Sequence, residues 1–591
     1  MRRRVAVIVV GGVALCVCAA ASTPREVRAS AQPVIVFPIP GSHVASPRSQ
    51  IVVRGLPVGQ LGAITVTGSR SGLHSGVVRA DSDGLGGSFL PSTPFTAGET
   101  VTVSTSLNVV GGSYGSWRFT IATPAGGIPP LHWPVATRAR GDVQRFHSRP
   151  DLVPPTVAIS KRLSRTAPGD IFLAPQFGPV QTGPMIVDSN GSLIWFDPMQ
   201  GVGSASDLRV QTFRGQPVLT WWQGYVTAGV GVGQDVIADS SYRVIATVQA
   251  VGGIHADLHE FELTPRGTGL IAAAYPVIWD TSSVHGSRRE IVFDSVVQEI
   301  DIATGLLLFQ WDSLDHVPVT ESYAPPPAHT TSPFDYFHLN SIELDNDGNL
   351  ILSARNTWAA YKISPLTGAV IWRLGGKRSS FKLAPGVYWA FQHDVRVRAN
   401  DDRYVTLFDD SAGPPTVHAQ SRGIKLLLDT RRMTATLVTQ YVHAPSLSAN
   451  YEGNLQQLPG GDDFLGWGQE PYFTEFSPAG TLLFDGRFVG GNASYRAYRF
   501  SWTGQPATPP ALAASTTKRT TTVYASWNGA TSIAAWRVLG GTTPAALRPI
   551  ATARKRGFET AITVPSQQFV AVQALDAAGH ALSQSATVRA G

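Results

Sequence analysis

The chain is 591 residues long, with a formal net charge of +6, 15% charged residues, 59 glycines and 42 prolines. That length exceeds one simple core and implies about two to four domains. The composition suits short strands joined by turns rather than helices, and basic residues scattered without interleaved aromatics exclude nucleic acid as an expected partner.

The first residues read MRRRVAVIVVGGVALCVCAAAS. Three arginines precede an apolar run of about 14 residues that ends in small residues near Ala21, the pattern of a secretory signal. Residues 1–31 are therefore expected to be a signal peptide and short leader, with no stable membrane span after cleavage; an uncleaved anchor stays open. The protein is expected to be secreted or held in the cell envelope. Cys16 and Cys18 both fall in this segment. Val13-Ala14-Leu15 lacks the small residues of a lipoprotein site, so the mature chain has no thiol, which excludes disulfides, cysteine nucleophiles and thiolate metal sites.

Residues 32–125 alternate apolar and polar positions, as in SQIVVRGL, AITVTG and TVTVSTS, predicting an Ig-like β-sandwich. A linker over 126–154 contains SRPDLVPP. Residues 155–503 repeat a strand, a polar turn and a second strand: VDSNGSLIWF, ADSSYRVIATV, IDIATGLLLFQW, ISPLTGAVIW, LDTRRMTATLV and FSPAGTLLF. A period of roughly 50 to 65 residues is that of propeller blades. Residues 508–591, with TVYASWNG and IAAWRVLGG, predict a fibronectin-like sandwich. The fold class expected is all-β, a six-bladed β-propeller flanked by an N-terminal and a C-terminal β-sandwich.

A second repeated element supplies the inner hairpins, and its first polar residues are Asp170, Asp207, His259, His338, His393 and Glu452. Polar groups at equivalent places around one axis either line a water-filled channel or meet a ligand. Folding a hairpin about Asp347-Gly348 sets Arg355 nearly opposite His338, where a guanidinium beside an imidazole would clamp a tetrahedral oxyanion. Folding the next about Asp401-Asp402 sets Asp409 opposite His393, either to hold one ring nitrogen or as a solvated turn carboxylate. Trp467 falls near Glu452, to stack on a ligand ring or to pack in the core. Three patterns are set aside. GGSYG lacks the strand-to-helix turn of a nucleophile elbow. AGVGVG has no βαβ context. HADLH offers His255 and His259 without a third ligand, so no metal is expected.

These stretches, with SRPDLVPP, DLHEFELTPRGTGLI, FDYFHLNSIELDNDGNLILSARNTWAAYKISPLTGAVIWRLGG and FQHDVRV, resemble the arylsulfotransferase family, in its broad actinobacterial and fungal branch, from about residue 148 to 490. The resemblance implies a six-bladed propeller with the site at the channel mouth. It also implies transfer of a sulfuryl group from an aryl sulfate donor to a phenolic acceptor, without a nucleotide donor or other cofactor. By that resemblance His393 is the nucleophile, His259 and His338 support it, Arg355 is the family's arginine, and Asn340 is a polar neighbour. The best-studied relatives carry a disulfide near the site, which this chain lacks.

The expectation is a ping-pong sulfotransferase working through a sulfohistidine on His393. His338 or His259 would serve as acid and base, with Asn340, Asp409, Glu452 and Trp467 about the substrate. The competing expectation is a secreted propeller that binds sulfated or phenolic ligands without catalysis, its sandwiches serving adhesion. Transfer of the group to water is a third.

Overall fold

The computed structural model describes residues 33–591 except 127, 132–138, 140, 179–180, 200–202 and 329–331. The expected signal segment and part of the expected linker lie outside the described residues. The protein is almost entirely β, built from antiparallel sheets. Among the described residues no helix is long and apolar enough to cross a membrane.

Strands between Val157 and Phe500 form successive antiparallel meanders. One 8-stranded sheet is two of them, joined only by the bridge Gly233↔Ala256, so the region holds six. Their innermost strands are Ala493–Phe500, Ser204–Phe213, His255–Leu263, Leu339–Leu344, His393–Arg398 and Asn454–Gln457. We number the meanders first to sixth in that order. The first differs from the sequence expectation. Asp170–Gln176 is its second strand, and Ala493–Phe500, from the far end of the region, pairs inside it. Val157–Arg162 in turn pairs on the outside of the sixth meander. Asp170 sits opposite Phe500 at the strand's end and is not among the groups around His393.

Five of the six inner strands meet at one buried cation. Arg496, on the closing strand, is 1% exposed. It bonds Asp207 at 3.0 Å, Glu260 at 3.2 Å and the Asn340 carbonyl at 2.7 Å, and lies 3.5 Å from Asp394. Those partners belong to the second, third, fourth and fifth meanders. Arg209 and Arg396 complete the cluster through Glu260. Burial alone would push the Glu260 carboxyl up, but Arg396, Arg496 and Arg209 hold it below the usual carboxylate range.

The AGVGVG stretch has a packing reason. A Cβ at Gly231 or Gly233 would stand 2.7 Å from the Trp222 ring. That ring is buried, with its Nε1 donating to the Ala256 carbonyl at 2.9 Å. Glycine lets the hairpin lie flat on the indole. Outside the meanders, residues 35–120 form two four-stranded sheets over a shared apolar core that includes Ile51, Phe89, Val103 and Trp117. Residues 511–589 form another pair around Trp536.

Candidate active site

At or just before the start of most inner strands the ladder breaks step. Register shifts fall between Ser206 and Arg209, Ala256 and Phe261, Leu339 and Ser341, and His393 and Arg396. Asp207, His338, Asp394 and Glu452 have φ of 56°, 58°, 56° and 72°. Bulges turn a side chain out of the pleat, and positive φ at bulky residues persists only where surroundings impose it. Here they aim side chains inward. HADLH shows the effect: His255 stays exposed at the strand start, whereas His259, inside the shifted stretch, is buried.

His259, His338 and His393 come together. Ring centroids of His259 and His338 are 4.7 Å apart, and those of His338 and His393 are 6.4 Å apart. Tyr495 stands between, 5.3 Å from His259 and 6.3 Å from His393. Each histidine puts Nδ1 on its own aspartate. His259 meets Asp257, His338 meets Asp335, and His393 meets Asp410 at 2.7 Å. Asp257 and Asp335 lie two and three residues before their histidines, a signal present in HADLH and FDYFH that sequence reasoning passed over.

The His393 tautomer follows from its neighbours. Nδ1 also faces the Phe391 carbonyl at 3.1 Å, which can only accept, so Nδ1 carries the proton. Nε2 receives the Glu452 backbone N–H at 3.3 Å, so it presents a lone pair. Burial pushes the ring well below the ordinary imidazole value, and Arg355, His338 and His259 push the same way. Burial likewise lowers His338. His393 is thus neutral, with Nδ1–H anchored and the lone pair on Nε2.

Arg355 follows the fourth meander's second strand, its N–H donating to the His338 carbonyl at 3.0 Å. Its guanidinium lies 4.7 Å over the Phe391 ring, with Nη1 on Asn356 and Nη2 on the Asn450 carbonyl, both at 2.8 Å. Among the described residues its Nε has no partner. Phe391 continues into an aromatic wall: Trp358 at 5.1 Å, then Tyr323 stacked on Trp358 at 3.8 Å and Tyr388 edge-on at 6.4 Å. The hairpin tip at Gly229 comes within 4.0 Å of His338 Cε1 for an added Cβ.

Three sequence assignments change. Asp409 does not hold His393; it accepts from Ala390 N–H and Arg422, because the shifted register sets Phe408 opposite His393 and leaves Asp410 to reach the ring. Trp467 is wholly buried, donating to Thr474 at 2.9 Å and packing edge-on to Phe408 and His443, so it faces no ligand. Asn340 gives its amide to the Gln392 carbonyl at 2.7 Å and so positions the strand that carries His393. Gln392 in turn donates to Ser353 and to the carbonyls of Ala354 and Ala359. Glu452 does adjoin His393.

Residues 209–489 match the protein-family model described as Arylsulfotransferase (ASST). Over that segment the chain is similar to the arylsulfotransferase family. No curated protein matches it. Similar solved structures include a Bacteroides caccae protein of unknown function, 12% identical with TM-score 0.35, covering 56% of this chain and 100% of that one. A catalytically inactive virginiamycin B lyase from Staphylococcus aureus with quinupristin is 10% identical, TM-score 0.27, covering 63% and 97%. A periplasmic gluconolactonase from Pseudomonas aeruginosa is 13% identical, TM-score 0.24, covering 66% and 97%. Among the described residues no group of three or more His, Cys, Asp or Glu is arranged to hold a metal ion.

Proposed function

We propose that this is an exported enzyme that moves a sulfuryl group from an aryl sulfate to a phenol in two displacements through His393. In this reading the six meanders are propeller blades and the histidines sit at the channel mouth. The observation that carries it is the lone pair on buried, neutral His393 Nε2 in one cluster with a guanidinium and two further imidazoles. In the first displacement Nε2 bonds to sulfur while the S–O bond to the aryl group breaks. In the second a phenol oxygen takes the group and His393 returns to its neutral tautomer. Arg355 and the Glu452 N–H hold sulfuryl oxygens, each such donor contributing about 3 kcal/mol to the barrier. Asp410 offsets the positive charge that develops on the sulfated ring, and the Phe391–Trp358 wall receives the aryl group.

The test is nitrophenolate release from 4-nitrophenyl sulfate with and without phenol. Donor alone is expected to release about one equivalent per site and leave a sulfuryl adduct on His393, with continued release requiring phenol. Continued release without phenol would make the enzyme a hydrolase, and none in either case would make the site a binding site. His393→Asn with full turnover removes the nucleophile assignment.

A further inference from the structure

We propose that Glu452 is the proton carrier of this site: a neutral carboxylic acid that protonates the departing aryl oxygen and takes the proton of the incoming phenol. The assignment rests on the sulfotransfer reading above. Glu452 lies just before the sixth meander's inner strand, with its own N–H on His393 Nε2, the atom to which sulfur would bond. Its carboxyl is buried, and Oε1 accepts from Gln176 Nε2 at 2.7 Å. Among the described residues Oε2 has no partner and no cation pairs with either oxygen. An ionised carboxylate there would be buried with one amide donor and no cation, whereas a neutral acid fits. With Oε1 acting as the carbonyl acceptor, the hydroxyl is Oε2–H, free to donate. Burial pushes the group up to about 8, against Gln176, which agrees.

His393 and His338 are poorly placed for this proton. His393 Nδ1–H is held by Asp410 and Phe391, and its Nε2 attacks. His338 commits its Nδ1–H to Asp335, and burial keeps it neutral, leaving a lone pair at Nε2. The balance closes on Glu452. As Nε2 bonds to sulfur and the S–O aryl bond breaks, Oε2–H passes to the aryl oxygen and a carboxylate remains. As the acceptor oxygen bonds to sulfur and the S–Nε2 bond breaks, the phenol proton returns to Oε2.

The experiment compares kcat/KM for aryl release, which reports the first displacement alone, from phenyl sulfate and 4-nitrophenyl sulfate by the unaltered protein and by Glu452→Gln. The phenolate of the first ester needs a proton to leave; that of the second does not. The ratio of the two rates is expected to fall on the order of 10²-fold or more in the variant. Equal slowing of both esters overturns the assignment, as does no slowing of either. A second readout needs no variant: across substituted phenyl sulfates the unaltered protein should depend weakly on phenol acidity, and a steep dependence overturns the proposal. An unaltered protein inactive on every ester removes the sulfotransfer reading as well. Activity on both esters with equal slowing in the variant removes the Glu452 assignment alone.

Discussion

A nucleophilic imidazole works through one nitrogen only if the other is fixed, and for His393 the fixing groups are Asp410 and the Phe391 carbonyl. Asp410→Asn keeps the shape but not the carboxylate that, in the proposed mechanism, would offset the sulfated ring. Turnover is expected to fall on the order of 10²- to 10⁴-fold with little change in folding; steady-state rates beside a thermal melt check this, and an unimpaired variant would refute the role. The pH sign follows from the same ring. Because its value is depressed below the ordinary 6.5, His393 loses its lone pair only at more acid pH. First-displacement rates should stay level as pH drops through 6.5 and decline below it; a decline toward acid that is already under way at or above 6.5 contradicts the buried neutral ring. How much of this was readable in sequence depended on the strand ladder. Arg355 was found beside His338 because Asp347-Gly348 fixes that hairpin's turn. Asp410 was missed in favour of Asp409 because two register shifts intervene before His393, and a turn signal says nothing of bulges further along.

Among whole strands, the least expected is Ala493–Phe500. The repeat made the other meanders legible, since each contributes its own inner strand in sequence order. It could not show that the first meander takes its inner strand from the far end of the region, because the pairing of Asp170–Gln176 with Ala493–Phe500 spans the whole ring. With that strand comes Arg496, whose guanidinium links four meanders, and Tyr495, whose hydroxyl donates to the Asn340 carbonyl at 3.0 Å beneath the histidines. Arg496→Met should leave Asp207, Glu260 and Asp394 buried without their shared cation. Removing one partner from such a cluster costs about 3–5 kcal/mol. A urea titration should therefore show a large drop in the unfolding midpoint, and a midpoint unchanged from the parent would mean that Arg209 and Arg396 suffice.

For the whole molecule the question is what the two terminal sheet pairs do, and their contacts give an answer. Asn528 clasps Phe196 from both sides, accepting its N–H at 3.0 Å and donating to its carbonyl at 2.9 Å. Gly529 N–H donates to the Ile194 carbonyl at 2.8 Å, and Tyr242 Oη donates to the Gly529 carbonyl at 2.7 Å. Leu193–Phe196 is the outermost strand of the first meander, so these bonds occupy an edge that would otherwise pair with another chain. At the other end, Ser82 donates to Asp301 at 2.8 Å, Gln50 accepts the Leu307 N–H at 3.3 Å, and Phe37 meets Phe309 at 5.3 Å. These too lie on the two outer strands of the third meander. The histidines lie at the opposite, inner strands. Such placement fits braces better than an adhesive module. Asn528→Ala is then expected to cost about 1–3 kcal/mol through the two backbone groups it leaves bare, seen as a lower melting temperature and earlier light scattering. The KM for 4-nitrophenyl sulfate should not move. A variant that melts like the parent but binds substrate differently would instead make the C-terminal sheets part of the ligand site.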